Sequence, residues 1–169
     1  LREEAKTGLE EKGAATVTTK LRHGDPVETI AEFEDTADLI IVGKRGEAAD
    51  FAKLHLGSNL ERVVRAAQKP VLVASRAFKP INKFLIAFDG GESAMKAVRH
   101  IAAGKLFTGL PCTLLSVGKP NENLQEKLDD AATILRKAGY AVDAGFAPGE
   151  PEEVSKDKIA AENIDLLVM

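Results

Sequence analysis

Small residues around one loop have the types and spacing suited to binding a phosphate group. Gly43 and Gly46 follow a predicted buried strand, and Gly57 and Ser58 precede a predicted helix. Glycine lets the backbone approach phosphate oxygens closely, so that free N–H groups can point at them. Ser58 would begin the helix, where the dipole and the unpaired N–H groups favour an anion. The pattern therefore predicts a phosphate-binding loop.

The same residues also have a purely structural interpretation. Ser58 and Glu61 have the spacing of a capping box, in which two side chains close the start of a helix. The glycines would then serve only in turns. Lys44 and Arg45 suit contact with phosphate and ordinary exposure to solvent equally well. The spacing matches neither the dinucleotide-binding fingerprint nor the Walker loop, so the residues alone leave both interpretations open.

Other residues able to carry chemistry are scattered along the chain. His23, His55 and His100 lie far apart and have no zinc-site spacing. Cys112 begins a predicted strand and is expected to be a small core residue rather than a nucleophile. No Ser-His-Asp or Cys-His arrangement follows from the positions. The sequence therefore predicts no catalytic residue and no metal ligand.

The composition argues against two classes of binding partner, nucleic acids and membranes. The 169 residues carry 23 basic and 26 acidic side chains, for a net charge of -3. Basic residues form no block of the kind that neutralises phosphates along a nucleic acid, so no nucleic-acid partner is predicted. The longest apolar runs are far shorter than the ~20 residues of a membrane helix, so no membrane partner is predicted. A lone cysteine implies no intrachain disulfide, and a cytoplasmic location is expected.

Predicted strands and helices alternate along the chain. Short apolar or β-branched runs predict strands over 14–21, 39–42, 70–74, 83–88, 112–117, 141–147 and 165–169. Amphipathic segments predict helices over 1–12, 26–36, 58–68, 93–105, 124–137 and 152–162. This alternation is typical of βαβ units. The predicted fold class is α/β, an open parallel sheet with helices on both faces.

An internal repeat indicates two copies of one α/β unit. The segments 9–13, 24–28 and 38–42 recur in the same order as 135–139, 149–153 and 165–169, at offsets of 125 to 127 residues. The competing explanation is that any two αβ segments look alike. On the repeat interpretation, residues 1–76 form the back half of a first domain and residues 80–169 the front part of a second. We therefore expect the chain to be a piece of a longer one.

The order of these motifs resembles the universal stress protein family. The resemblance lies in a strand, Gly43-x-x-Gly46, ten further residues, Gly57-Ser58, a helix and then Pro70-Val71-Leu72-Val73. The gap of ten residues is one longer than the usual gap of the family. A strand that ends in Asp89, followed by Gly90-Gly91, looks like the first strand of the family. The resemblance covers nearly all of the chain and fits the tandem, two-domain type.

The resemblance implies a Rossmann-like fold, with a five-stranded sheet of order 3-2-1-4-5 in each complete domain. It also implies ATP or a related nucleotide as ligand and a binding or signalling role in the stress response. By the same resemblance, Asp89 would approach the adenine or ribose, and Val117 would line the adenine pocket. The nucleotide-binding residues implied are Gly43, Gly46, Gly57, Ser58, Asp89 and Val117.

Neither copy holds both the aspartate and the glycine loop. A complete site of the family kind therefore needs further sequence or a partner chain. The resemblance also implies a dimer, or pairing of two universal stress protein domains within one chain. Two other functions stay open, namely a nucleotide-independent interaction module that dimerises through strand 70–74 and an enzyme with at most weak ATPase activity.

Overall fold

Two compact units, Leu1–Arg76 and Ala77–Met169, make up the chain. The computed structural model describes residues 2–14, 16–43, 58–75 and 79–169. In the first unit the elements are α1 (Arg2–Glu11), α2 (Pro26–Glu34), β1 (Ile40–Gly43), α3 (Ser58–Ala66) and β2 (Val71–Ala74). Strands β1 and β2 pair in parallel, with Ile40 opposite Val71 and Gly43 opposite Ala74.

The second unit contains a four-stranded parallel sheet and three helices. Its elements are β3 (Phe84–Ala87), α4 (Glu92–Ala103), β4 (Cys112–Val117), α5 (Glu122–Lys137), β5 (Val142–Ala147), α6 (Pro151–Glu162) and β6 (Leu166–Val168). The strands lie in the order β5-β4-β3-β6. This is the order 3-2-1-4 in terms of their sequence within the unit, and it agrees with the first four strands of the expected order.

Apolar side chains cover both faces of this second sheet. On one face Phe84, Ile86 and Leu114 pack against α4 and α5 through Val98 and Leu135, all with no measurable exposure. On the other face the cluster is smaller and includes α6, and it is formed by Leu85, Leu115, Ile164, Val154 and Ile159. Successive side chains along each strand point to opposite faces of the sheet, and on both faces they pack against other parts of the protein. The predicted α/β class with helices on both faces is confirmed.

One predicted strand is wrong. Residues 16–23 include most of the strand predicted over 14–21, and they form no strand. The Nζ of Lys20 lies 4.3 Å from the centre of the Phe33 ring, and Arg22 donates to Glu32 at 2.6 Å. High β-propensity stabilises a strand only when a neighbouring strand supplies cross-strand contacts. Within the described residues this segment packs instead against the side of α2.

An ionic cluster ties α6 to the amino-terminal end of the second sheet. The carboxylate of Glu162 accepts from the ammonium groups of Lys83 and Lys158 and from the hydroxyl of Thr113, the last at 3.0 Å. Lys83 precedes β3, and Thr113 is the second residue of β4. Hydrogen bonds, first from Lys158 and then from Lys83, lower the pKa of Glu162 from its ordinary value of 4.5 to about 2.

Replacing Glu162 by Gln is expected to lower the free energy of unfolding at pH 7 by about 1–2 kcal/mol, because two charge-assisted hydrogen bonds are weakened at a partly exposed site. The lowered pKa means that this contribution is fully present above pH 4.5 and is lost as the pH falls through about 2. Urea unfolding of both proteins at several pH values measures it. Asp157→Asn, on the same helix, is the control and should change stability by less than about 0.5 kcal/mol. An E162Q deficit that does not shrink at low pH would contradict the assignment.

Candidate functional site

Two described elements bracket the predicted phosphate-binding loop. Strand β1 ends at Gly43, and α3 begins at Ser58. Gly46 and Gly57 lie outside the described residues, as do Lys44, Arg45 and His55. Because β1 is a parallel strand, its end at Gly43 is the carboxyl edge of the sheet. In open α/β sheets ligands bind beyond this edge. The fold thus leads from the carboxyl end of a strand to the start of a helix, as a phosphate-binding loop requires.

Helix α3 is tied at two places to α2 and to Asp25, the N-cap of α2. Leu60 and Val63 bury its inner face. At the middle of α3, Arg62 donates to the carboxylate of Asp25 at 2.6 Å. Beyond its last turn, Glu34 accepts from the backbone N–H groups of Gln68 and Lys69, the second at 2.8 Å. These contacts fix the direction in which α3 leaves the loop.

The capping-box interpretation receives no support from the side chain of Glu61. This carboxylate accepts from Nε and Nη2 of Arg65, at 3.1 and 2.9 Å. Arg65 lies one turn towards the carboxyl end of the helix, away from Ser58. The pair is exposed on both sides and is an ordinary surface i,i+4 ion pair.

Asp89 lies beyond the end of β3, where the chain turns into α4. Its Oδ1 accepts from the backbone N–H of Gly91 at 2.8 Å, and the residue is exposed. Gly90 has φ = 76°, a backbone conformation that strains residues with a side chain, and a Cβ there would also lie 2.6 Å from Cδ1 of Leu124. Glycine is therefore favoured at this turn. Lys127 of α5 donates to the carbonyl of Gly90 at 3.1 Å. The turn that carries Asp89 is therefore held from two sides.

Val117 is the last residue of β4 and lies at the same edge as Asp89. The N–H of Phe88 donates to the carbonyl of Leu115 at 2.8 Å, and the N–H of Gly118 donates to the carbonyl of Ala147 at 2.9 Å. These bonds continue the pairing of β3, β4 and β5 to their carboxyl ends. Val117 is half-buried and packs with the smaller apolar cluster. The structure thus brings Asp89 and Val117 to one sheet edge in the second unit, whereas Gly43 and Ser58 belong to the first.

The sequence did not predict the ion pair between Asp25 and Arg62. The Arg62 guanidinium and then the backbone N–H of Val27 hold the pKa of Asp25 below its ordinary value of 3.8. Asp25 is the N-cap of α2, and its Oδ1 accepts from the N–H of Val27 at 2.7 Å. The contact with Arg62 spans 37 residues. No periodic pattern in the sequence indicates this ion pair.

In the part of the chain that the structure describes, no three His, Cys, Asp or Glu side chains come together in a way that could hold a metal ion. Among the same residues, no helix combines the length and apolar character needed to cross a bilayer. Cys112 is a core residue, as predicted, with 1% of its surface exposed.

Comparison with known proteins gives matches to the universal stress protein family. Residues 1–75 match the model of the Universal stress protein family. Over 167 residues, 98% of this chain, the sequence is 36% identical to the Universal stress protein Slr1230 of Synechocystis sp.. The chain spans 58% of the length of that relative.

Solved structures agree on the fold. A universal stress protein from Archaeoglobus fulgidus aligns over 98% of this chain and 61% of its own, with 22% identity and a TM-score of 0.72. This likeness shows the Rossmann-like α/β fold. A universal stress protein in complex with cAMP aligns over 53% of this chain and 71% of its own, with 17% identity and a TM-score of 0.45. So distant a likeness does not carry that ligand to this chain.

The thiol of Cys112 is expected to be inert in the folded protein. Burial raises its pKa to about 12, and the thiolate is the reactive form. At pH 8 a disulfide reagent such as dithionitrobenzoate should leave the native protein unmodified and should label one thiol after unfolding in guanidinium. Rapid labelling of the native protein would contradict this placement.

Proposed function

Because the comparisons support the universal stress protein family for this chain, we propose that it binds ATP or a related nucleotide through the glycine loop and acts as a binding and signalling protein in the stress response. The observation that carries the proposal is the position of Gly43 and Ser58. The first ends a parallel strand and the second begins a helix. The residues between them include Gly46 and Gly57.

Physical chemistry supports this use of the loop. The first N–H groups of a helix have no partner within it, and the helix dipole places partial positive charge there. Phosphate oxygens accept such N–H groups well. Glycine at Gly46 and Gly57 would leave the backbone open to the ligand, since no side chain would stand between the amides and the phosphates. The ties between α2 and α3 would keep the helix start in place.

Asp89 and Val117 are proposed to contact the nucleoside part of a nucleotide in the second unit. The carboxylate of Asp89 is exposed, and Oδ1 holds the turn through Gly91. An exposed carboxylate can accept from a hydroxyl or amino donor of a ribose or adenine. Val117 offers a half-buried apolar surface at the same edge, which suits the face of a base. Each unit is thus proposed to supply one part of a site of the family kind, which further sequence or a partner chain would complete.

Matching backbone conformations support the proposal that the units are two copies in a tandem protein. Gly13 and Gly139, which follow α1 and α5, have φ of 96° and 92°. Gly24 and Gly149, which precede α2 and α6, have φ of 132° and 128°. Each pair occupies equivalent positions of the sequence repeat. Since few residues other than glycine adopt such angles, their recurrence at repeat positions is hard to ascribe to chance likeness of αβ segments.

A Val side chain at position 57 is expected to lower the affinity for ATP at least about tenfold, because it would shield the helix amides from phosphate. Isothermal titration of the purified wild-type protein and of Gly57→Val with ATP measures this. Gly8→Val is the matched control, since a Cβ at Gly8 meets no atom within 4 Å, and its affinity should equal that of wild type. Wild-type protein without measurable ATP binding would refute the proposed function.

A second function, self-association through β2, is favoured by the surface of that strand. In the described residues β2 pairs with β1 alone, and Val73 is 38% exposed. An open edge of this apolar kind readily pairs with another strand. We propose that β2 pairs with the matching strand of a second universal stress protein domain, in another copy or in the same protein.

Val73→Lys is expected to weaken any dimer formed through β2, because a charge on an edge strand opposes strand pairing. Light scattering after size exclusion should show a shift towards monomer at the same protein concentration. Leu21→Lys is the control, because Leu21 is 60% exposed and lies outside the strands. An unchanged mass for both variants would exclude β2 as the dimer contact.

A further inference from the structure

We propose that Asp165 is a latch on the chain segment 79–83, which leads from the boundary of the two units into β3, and that this latch makes the segment move as part of the second unit. The boundary lies between Arg76 and Ala77, and β3 begins at Phe84. Connecting segments of this kind are usually among the least stable parts of a protein. Here a carboxylate 83 residues further along the chain than Asn82 binds the segment.

Both the side chain and the backbone of Asp165 bind this segment. Its Oδ2 accepts from the backbone N–H of Asn82 at 2.9 Å, and its own N–H donates to the carbonyl of Lys83 at 3.0 Å. The Nζ of Lys79 lies 3.9 Å from Oδ1. The side chain of Lys79 is 82% exposed and that of Asp165 is 12% exposed. The backbone contacts therefore carry the latch, and the exposed ammonium group adds little.

The carboxylate of Asp165 is charged at neutral pH, which strengthens its bond to the backbone. The N–H of Asn82, and after it the N–H of Lys83 and the charge of Lys79, hold the pKa of Asp165 below its ordinary value of 3.8. A hydrogen bond to an ionised acceptor is stronger than one between neutral groups.

The corner that presents Asp165 belongs to the core of the second unit. Helix α6 ends at Asn163 in the left-handed conformation, with φ = 53°. The N–H of Ile164 donates to the carbonyl of Ile159 at 3.0 Å, and the side chain of Ile164 is buried in the smaller apolar cluster. Strand β6 follows directly and pairs with β3. The latch is therefore anchored on the side of Asp165, and the segment 79–83 is the part that would be released.

Two other carboxylates supply internal comparisons. Asp38 occupies the position of the internal repeat that is equivalent to Asp165, directly before an apolar run, and it is exposed. Glu162 binds the segment through a side chain alone, because its carboxylate accepts from the ammonium group of Lys83. Only Asp165 accepts from the N–H of Asn82, so this amide reports on the latch.

The test is amide hydrogen exchange, measured residue by residue by NMR on the whole chain. A hydrogen-bonded amide exchanges when its bond opens, so the rate at Asn82 measures opening of the latch. Asp165→Ala removes the acceptor and should speed this exchange at least about tenfold, because one charge-assisted hydrogen bond is lost. Amides within β3, such as that of Ile86, should stay within about threefold of their wild-type rates, since the pairing of β3 is kept.

Three further variants separate the latch from a general loss of stability. Asp165→Asn keeps one acceptor oxygen, so it should lose less protection at Asn82, and it serves if Asp165→Ala folds poorly. Asp38→Asn makes the same change at the equivalent position of the repeat and should leave the rate at Asn82 unchanged. Glu162→Gln should lower the free energy of unfolding but change the rate at Asn82 less than about threefold.

Acceleration confined to residues 79–83 in the Asp165 variants supports the latch. Exchange at Asn82 in the wild-type protein as fast as in an unstructured peptide would overturn it, and so would a rate that Asp165→Ala and Asp165→Asn leave unchanged. Equal acceleration throughout β3 would also overturn it, because Asp165 would then only stabilise the sheet. A change in Glu162→Gln as large as that in Asp165→Ala would assign the contact to the ionic cluster instead.

Discussion

The burial of β3 on both faces is the constraint on which the second unit depends. Its residues Phe84, Leu85 and Ile86 have no measurable exposure, although they alternate between the two faces of the sheet. A strand of this kind needs helices above and below it. The connections must therefore place α4 and α5 on one face and α6 on the other. Because every strand runs in the same direction, the turns that follow them gather at one edge, where Asp89 and Val117 lie.

The first unit also combines parallel strands with packed helices, but it has fewer strands. Two short parallel strands pair along their whole length, and α3 lies against α2 with Leu60 and Val63 buried. The glycine-rich segment begins at a hydrogen-bonded strand and ends at a helix tied in two places. A segment whose two ends are fixed has fewer conformations than a free chain of the same length. The contacts at Asp25 and Glu34 therefore stabilise the helix pair on which this arrangement depends.

Periodicity and turn residues predicted most of this fold from the sequence. The apolar runs at 39–42 and 83–88 both become strands, as their composition and length predict. Only the second is buried on both faces, whereas Ile41 of the first is 64% exposed among the described residues. The strand predicted over 14–21 is wrong, because β-propensity does not reveal whether a partner strand is present. The edge position of Asp89 and Val117 follows from βαβ order. The ion pairs of Arg62 with Asp25 and of Lys83 with Glu162 join residues 37 and 79 apart, and neither leaves a periodic signal in the sequence.

The ionic cluster around Glu162 and the turn at Asp89 lie at opposite ends of the same sheet. The first joins α6 to residues at the amino-terminal ends of β3 and β4, whereas the second follows the carboxyl end of β3. Substitutions at the Asp89 turn therefore leave the ionic cluster around Glu162 untouched. The turns at the carboxyl ends of the strands can thus change in sequence while the opposite end of the sheet keeps α6 attached.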